Sequence, residues 1–188
     1  MKFSIAVMAH PSREKYFEYI REKLGDVPFS IDRGLGIWDT CKRAWLAYDP
    51  EAEYHIVMQD DLIIGRDFLR KAEEVVKEDV VYNFFMGCRR RFAEEVEQAR
   101  KSGAKFLIKN NIHHEACMGI KTKRIKEMIE FCDARKPKND KVINVYVREK
   151  KLKVYFTMPS LVNHRNEPSL HNLNRGSYPR GARWFIGE

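Results

Sequence analysis

Two adjacent carboxylates, Asp60 and Asp61, directly follow the apolar run 54–59 and precede a second apolar run, 62–64. Burying charged groups costs free energy unless opposite charges or hydrogen bonds compensate them. A strand that ends in two aspartates at a loop is therefore a natural position for a divalent cation and the phosphates that it carries. The alternative is that the pair forms the solvated start of a loop.

Strand-like and helix-like segments alternate in the first half of the chain, and this alternation determines where the aspartates lie. Residue spacing predicts strands over 3–9, 28–31, 54–59 and 80–86, and helices over 13–24, from Asp39 or Thr40 to 48, and from 67 onward. Such alternation predicts an α/β fold with a mostly parallel sheet flanked by helices. Ligands of such sheets bind at the carboxyl ends of strands. Asp60 and Asp61 follow one such end, and His10, Pro11 and Arg13 follow another.

The second half has a less regular pattern. It predicts helices over 92–101 and 122–132, strands over 105–109 and 154–157, and a short apolar stretch over 116–120. Segment 141–148 suits a helix capped by Asn139, although its β-branched residues also suit a strand. From residue 159 on, the composition indicates a surface loop. No linker or repeat interrupts the chain, so residues 1–188 are predicted to form a single domain.

Composition excludes several classes of protein. The chain has 188 residues and is 44% hydrophobic, which fits one globular domain and excludes a disordered chain. No apolar run is long enough to span a bilayer, and His10-Pro11 comes too early for a signal peptide, so a cytoplasmic location is expected. The four cysteines are far apart in sequence, which favours free structural thiols over a zinc site or disulfides.

Charge is distributed unevenly along the chain. Residues 1–100 carry 16 Lys and Arg against 19 Asp and Glu, a net charge of −3, whereas residues 101–188 carry 19 against 8, a net charge of +11. This asymmetry suggests an anionic partner for the second half. Eleven of these 19 basic residues are the candidates for contact with a polyanion: Lys121, Lys123, Arg124, Lys126, Arg135, Lys136, Lys138, Lys141, Arg175, Arg180 and Arg183.

Four short motifs occur in an order that matches a known family. They are Pro11-Ser12-Arg13, then Gly34…Trp38…Arg43-Ala44-Trp45, then Gln59-Asp60-Asp61, and finally the segment 155–164, which contains Pro159-Ser160-Leu161-Val162-Asn163-His164. Together they resemble small nucleotide-sugar glycosyltransferases of the GT-A fold, of bacteriophage and bacterial type. The resemblance implies a Rossmann-like sheet, with a donor-binding half over 1–100, an acceptor half over 101–172 and a C-terminal tail over 173–188.

The resemblance also implies roles for individual residues on the donor side. Asp61 and His164 would bind Mn²⁺ or Mg²⁺, which bridges the phosphates of a donor such as UDP-glucose. Asp60 would contact the donor's ribose or sugar, or the metal through water; because Gln59-Asp60-Asp61 replaces a strict Asp-x-Asp, this division of roles stays open. Pro11, Arg13 and Arg43 would contact the donor. The alternatives are a structural histidine at His164 and a solvated helix face at Arg43.

The acceptor side needs a base that removes the proton of the attacking hydroxyl. Asp140 is the catalytic candidate because the resembling enzymes often carry an acidic residue at this place, and a base opposite the leaving group implies inversion of configuration. The alternative is that Asn139-Asp140 is an ordinary helix N-cap. His113 and His114 are not expected to share a metal ion, since neighbouring side chains on a strand point to opposite faces. The three arginines of segment 89–91 are either exposed to solvent or bind phosphate.

The predicted function is a metal-dependent transfer of a sugar from a nucleotide-diphosphate donor to an acceptor hydroxyl. One hypothesis for the acceptor is a hydroxymethylated pyrimidine in DNA, with the enzyme in the host cytoplasm if it is phage-encoded. The alternatives are a saccharide or small-molecule acceptor, or a non-enzymatic nucleic-acid-binding module on an α/β scaffold.

Overall fold

A computed structural model of the protein describes residues 2–88, 90–165, 167, 170 and 181–188. Its strands are β1 (Phe3–Ala9), β2 (Phe29–Ile31), β3 (Tyr54–Gln59), β4 (Leu62–Ile64), β5 (Val81–Asn83), β6 (Phe106–Lys109), β7 (Cys117–Lys121), β8 (Val154–Thr157) and β9 (Val162–His164). Its α-helices are α1 (Phe17–Leu24), α2 (Ile37–Leu46), α3 (Phe68–Val75), α4 (Ala93–Ser102), α5 (Ile125–Asp133) and α6 (Val142–Glu149).

Seven of these strands form one mixed sheet in the order β2-β1-β3-β7-β5-β8-β6, and β4 pairs with β9 in a separate two-stranded sheet. Parallel pairing is confirmed for β1 with β2, β1 with β3, and β5 with β8. The pairings of β7 with β3 and β5, and of β6 with β8, are antiparallel. The predicted α/β class with a central sheet flanked by helices is therefore confirmed, with more antiparallel pairing than the alternation indicated.

Helices cover both faces of the large sheet because its strands alternate their buried side chains. Ile5 and Val7 of β1 belong to a core cluster that contains the buried residues of α1 and α3. Ala6 and Val57 point to the other face, where the cluster contains residues of α2, α4, α5 and α6. This period of two is what a sheet buried on both sides requires.

Several predicted elements have different limits in the structure. The predicted helix over 13–24 is divided into a 3-10 helix, Pro11–Tyr16, and α1, with non-helical backbone at Arg13 (φ −113°, ψ 16°). Helix α2 begins at Ile37 after Gly36, so the prediction that Asp39 or Thr40 caps it is wrong. Segment 141–148 is helical, because Val142, Ile143 and Val147 share one buried face.

Residues 160–165 and 181–188 contact the fold more closely than the surface loop predicted from residue 159 on. Residues 162–164 form β9, and the C-terminal segment 181–188 packs beside it. Ser160 joins the two, since its N–H donates to the Trp184 carbonyl at 2.9 Å and its own carbonyl accepts from the Ile186 N–H at 3.2 Å. A Cβ atom at Gly65 would lie 2.5 Å from the Leu161 carbonyl oxygen, so glycine is required at this contact.

None of the four cysteines forms a disulfide bond, and Cys41, Cys117 and Cys132 are buried, as predicted for structural thiols. Within the described ranges, no helix combines the length and the apolar composition that crossing a bilayer requires.

Candidate functional site

Asp60 and Asp61 form the turn between β3 and β4, at the edge where the parallel strands β1 and β3 end together. Both residues are buried, with 3% and 1% of their surface exposed. The register Met8↔Gln59 places His10 beside Asp60, and the His10 N–H donates to Asp60 Oδ2 at 2.7 Å. Burial raises the pKa of the Asp60 carboxyl, and the hydrogen bonds from His10 and Arg13 oppose this rise.

Arg13 compensates the charge of both aspartates. Its Nη1 lies 2.9 Å from Asp60 Oδ1 and 2.7 Å from Asp61 Oδ2, and its side chain is only 11% exposed. The non-helical backbone at Arg13 belongs to the short 3-10 helix that follows β1. Proline favours the start of a helix, and the 3-10 helix begins at Pro11 directly after β1. Arg13 in this helix therefore lies beside the end of β3, where it contacts the two aspartates.

The second carboxylate oxygen of Asp61 has a different environment. Asp61 Oδ1 is buried, and no residue of the described part of the chain hydrogen-bonds to it. A buried polar atom without a hydrogen bond costs about 1–3 kcal/mol. Buried polar atoms without a hydrogen bond are rare in native folds. A cation bound to Asp61 Oδ1 would account for this one.

His164 reaches Asp61 from the far end of the chain. The antiparallel pair Leu62↔His164 between β4 and β9 places the imidazole beside Asp61, with Nε2 at 3.5 Å from Asp61 Oδ2. His164 Nδ1 lies 2.6 Å from the Arg165 carbonyl oxygen. A carbonyl only accepts, so Nδ1 carries a proton and Nε2 is the ring nitrogen that faces the carboxylate.

His164 Nε2 and the Asp61 carboxylate could share a proton or a metal ion, beside the contact that Asp61 Oδ2 already makes with Arg13 at 2.7 Å. Imidazoles that bind metals commonly donate their other N–H to a backbone carbonyl, as His164 does. Asp61 and His164 could therefore hold one divalent ion such as Mg²⁺ or Mn²⁺. Within the described ranges, no three His, Cys, Asp or Glu side chains are placed to hold a metal ion together.

The other predicted donor residues lie near the same sheet edge. Pro11 is exposed at the start of the 3-10 helix. Arg43 lies on α2, where Nε contacts Asp39 at 2.9 Å and Nη2 donates to the Ile31 carbonyl at 2.7 Å. These contacts hold the Arg43 guanidinium at the end of β2, next to β1 in the sheet.

Asp140 lies on the α2 side of the sheet. Asn139 Oδ1 accepts from the Lys141 N–H at 3.2 Å in the turn before α6. The N-cap position of α6 is Lys141, so the prediction of an N-cap at Asn139 or Asp140 is wrong. The thiol pKa of Cys41 is raised well above its usual value by burial and, to a smaller extent, by the charges of Asp140 and Glu115. Glu115 in turn precedes Ala116, whose carbonyl accepts from the Gln59 N–H at 2.9 Å.

His113 and His114 lie between β6 and β7, outside any strand, and contact different groups. The His113 ring lies 4.5 Å from the Phe92 ring, whereas the His114 ring lies 5.4 Å from Phe85. Phe85 also lies 6.1 Å from the His164 ring, so segment 113–115 borders the aspartate site. From the arginine run, Arg91 Nη2 lies 3.1 Å from His113 Nδ1, and Arg89 lies outside the described residues.

Sequence reasoning missed Arg165 and the two tyrosines that hold it. The Arg165 guanidinium lies 4.6 Å from the Tyr16 ring and 4.7 Å from the Tyr19 ring. Its backbone N–H donates to the Asp61 carbonyl at 2.9 Å. The only sequence signal was its position directly after His164, because nothing in the local pattern relates residue 165 to residues 16 and 19.

Many of the basic residues in the second half are already paired. Lys123 and Arg124 both contact Asp79, at 2.8 and 2.6 Å, and Arg135 contacts Glu149 at 2.9 Å. A cleft of about 410 Å³ is lined by Asn110, Arg148, Lys151 and Lys153. In the described part of the chain, these three cations have no carboxylate partner. The cleft lies at the start of β8, whereas the aspartate site lies beyond its end; Arg175 and Arg180 fall outside the described residues.

No protein-family model matches this chain, and no curated protein is significantly similar to it.

Proposed function

We propose that this protein is a metal-dependent glycosyltransferase of GT-A type, which transfers a sugar from a nucleotide-diphosphate donor to an acceptor hydroxyl. The observation that carries the proposal is the pair Asp61 and His164, with Nε2 facing a carboxylate oxygen at 3.5 Å. The unpartnered Asp61 Oδ1 adds a second free ligand atom at the same place. The order of the four sequence motifs supports the choice of this enzyme class over other metal-dependent phosphate chemistry.

Asp61 and His164 would hold Mn²⁺ or Mg²⁺. When bound, the ion supplies positive charge that stabilises the departing diphosphate. The His10 N–H and Arg13 hold the Asp60 carboxylate in place. A carboxylate held in this way would position a hydroxyl group of the donor. Arg13 lies between the two carboxylates, where its guanidinium can also contact a phosphate oxygen that approaches them.

Proton removal from the acceptor is assigned to the carboxylates on the α2 side. Asp140 is the proposed base, and the charges of both Asp140 and Glu115 contribute to the raised pKa of the Cys41 thiol. A hydroxyl that attacks the anomeric carbon must lose its proton to such a group. Exchanging each carboxylate for an amide in turn, and comparing turnover with donor affinity, separates a base from a residue that only binds.

The acceptor class rests on charge. The unpaired cations Arg148, Lys151 and Lys153 favour an anionic polymer such as DNA. These three residues lie at the start of β8, whereas the aspartate site lies beyond its end. A DNA acceptor would therefore have to extend across the sheet to contact both the cleft and the aspartate site. A saccharide or small-molecule acceptor needs no such contact and is the second candidate.

A thermal-shift panel tests the donor side. The protein is heated with a set of nucleotide sugars, including UDP-glucose, with Mn²⁺ and with EDTA. We expect one donor to raise the melting temperature only with Mn²⁺, since ligands that bind the folded state stabilise it. Asp61→Asn should abolish this shift, whereas Asp67→Asn, an exposed carboxylate that pairs with Arg70, should leave it intact.

The opposite result is equally clear. If no donor shifts the melting temperature, or if the shift is the same in EDTA, the metal-dependent transferase is wrong. Tight DNA binding without any donor response would instead support the non-enzymatic nucleic-acid-binding module.

A further inference from the structure

Arg165 is a cation that the fold holds in place but does not pair. Within the described ranges, no carboxylate lies within ion-pair distance of its guanidinium, and Nε is buried without a hydrogen-bond acceptor. The residue as a whole is only partly buried, but polar atoms that are enclosed as its Nε is are normally hydrogen-bonded. Two carboxylates, Glu167 and Glu188, lie close to Arg165, but they accept hydrogen bonds from tyrosine hydroxyls.

Those two carboxylates hold the tyrosines instead. The Tyr16 hydroxyl donates to Glu167, and the Tyr19 hydroxyl donates to Glu188 Oε1 at 2.9 Å. Tyr19 is fixed further by the Ile64 N–H, which donates to its hydroxyl oxygen at 2.8 Å. With their hydroxyls fixed, both rings present their faces to the guanidinium of Arg165.

The result is a guanidinium held between two rings, whose Nε has no hydrogen-bond acceptor among the described residues. Stacking between two rings restricts the plane of the guanidinium, so its N–H groups point in defined directions before any ligand arrives. We call Arg165 with Tyr16 and Tyr19 the arginine clamp. The backbone N–H of Arg165 donates to the backbone carbonyl of Asp61 at 2.9 Å, so the clamp lies next to Asp60 and Asp61.

We propose that the arginine clamp is an anion subsite that takes the phosphoryl oxygens of a diphosphate. A planar fork of N–H donors matches phosphate oxygens, and charge-assisted hydrogen bonds of this kind are among the strongest in proteins. Arg13 is already committed to two carboxylates, whereas Arg165 is not, so Arg165 is the cation that supplies new charge to an arriving anion. This inference rests on the proposed function for the identity of the diphosphate.

Titration calorimetry with inorganic pyrophosphate tests the subsite without any metal or sugar. The full chain is titrated in EDTA, and orthophosphate is titrated in parallel. We expect pyrophosphate to bind at least about 10-fold more tightly than orthophosphate, because a diphosphate offers more oxygens to the fork. Equal affinities would overturn the diphosphate assignment, and no pyrophosphate binding at millimolar concentration would overturn the subsite.

Variants identify the residue responsible. Arg165→Gln should weaken pyrophosphate binding by at least about 10-fold, and Arg165→Lys, which keeps the charge but loses the fork, by about 5-fold. Arg70→Gln, which removes an exposed arginine paired with Asp67 and Glu74, is the matched control and should bind as the wild type does. Wild-type affinity in Arg165→Lys would overturn the proposal even if Arg165→Gln fails to fold.

The subsite and the transferase fail in different ways. Pyrophosphate binding that requires Arg165, combined with no response to any nucleotide sugar, would retain the subsite and reject the transferase. A Mn²⁺-dependent donor shift that is undiminished in Arg165→Lys and Arg165→Gln would retain the transferase and reject the subsite.

Discussion

His164 Nε2 lies 3.5 Å from Asp61 Oδ2, and the ring is oriented by the Arg165 carbonyl on its other side. The two residues meet because β9 pairs with β4, directly after the turn that contains the aspartates. A carboxylate and an imidazole placed in this way could bind one cation together.

Replacing His164 should weaken metal binding more than it changes folding. We expect His164→Gln to lower the affinity for Mn²⁺, measured by electron paramagnetic resonance of the free ion, by about 10-fold or more, since it removes one of two protein ligands. The exposed variant Asp67→Asn serves as the control for non-specific binding. Unchanged Mn²⁺ affinity in His164→Gln would assign His164 a purely structural role.

Arg13→Gln should destabilise the protein because it leaves two buried carboxylates without their cation. Breaking a buried ion pair costs about 3 kcal/mol in free energy of unfolding, and urea denaturation in EDTA measures it. Part of this loss should return with Mn²⁺, which replaces the missing charge. Arg70→Gln removes only exposed ion pairs and should change stability by about 0.5 kcal/mol or less. Equal stabilities of the two variants would show that Arg13 does not compensate the pair.

His55 gives the fold a pH dependence below neutrality. The ring is fully buried, where Nε2 donates to the Ala44 carbonyl and the Ser4 hydroxyl lies 2.8 Å from Nδ1. Burial lowers the pKa of His55 from 6.5 to about 4. Between these values the unfolded chain binds the extra proton and the folded chain does not, so the stabilisation is complete above pH 6.5 and is lost as the pH falls towards 4.

The size of this loss is about 3 kcal/mol, which follows from the pKa difference. Nuclear magnetic resonance of the His55 ring should show no protonation between pH 7 and 5, while urea unfolding becomes easier over the same interval. A ring that titrates near 6.5 would contradict the prediction.

Gly65→Ala should loosen the contact between the C-terminal segment 181–188 and the site. The added Cβ would meet the Leu161 carbonyl oxygen at 2.5 Å and the Ile186 side chain at 2.6 Å, so backbone must move. We expect a loss of about 2 kcal/mol in free energy of unfolding. Gly103→Asn is the control, because a side chain there meets open space and asparagine tolerates its left-handed backbone (φ 67°, ψ 22°). Equal melting temperatures of the two variants would contradict the expectation.

The DNA-acceptor hypothesis predicts a gel shift with duplex DNA that weakens steeply as salt rises. Replacing Arg148, Lys151 and Lys153 together with glutamine should reduce the dependence on salt, because three phosphate contacts are lost. The absence of a shift even at low salt would reject DNA as the acceptor.

The sequence alone was sufficient for much of the secondary structure. Alternation in β1 assigns Ile5 and Val7 to one face and Ala6 to the other, and the helical spacing in α5 predicts its buried stripe of Ile125, Met128 and Ile129. Strand ends were also predictable, so the sequence placed Asp60 and Asp61 at an edge of the sheet. These features depend on residues a few positions apart, and local spacing records them directly.

Only the tertiary structure decided how the candidate site is assembled. The pairing of β9 with β4, the backbone turn that brings Arg13 onto both aspartates, and the clamp of Tyr16 and Tyr19 around Arg165 all join segments that are distant in the chain. The same holds for the antiparallel strands β6 and β7, whose direction no local pattern encodes. The physical reason is that pairing, burial and charge compensation are properties of contacts, and the sequence specifies the groups that make those contacts without stating which of them meet.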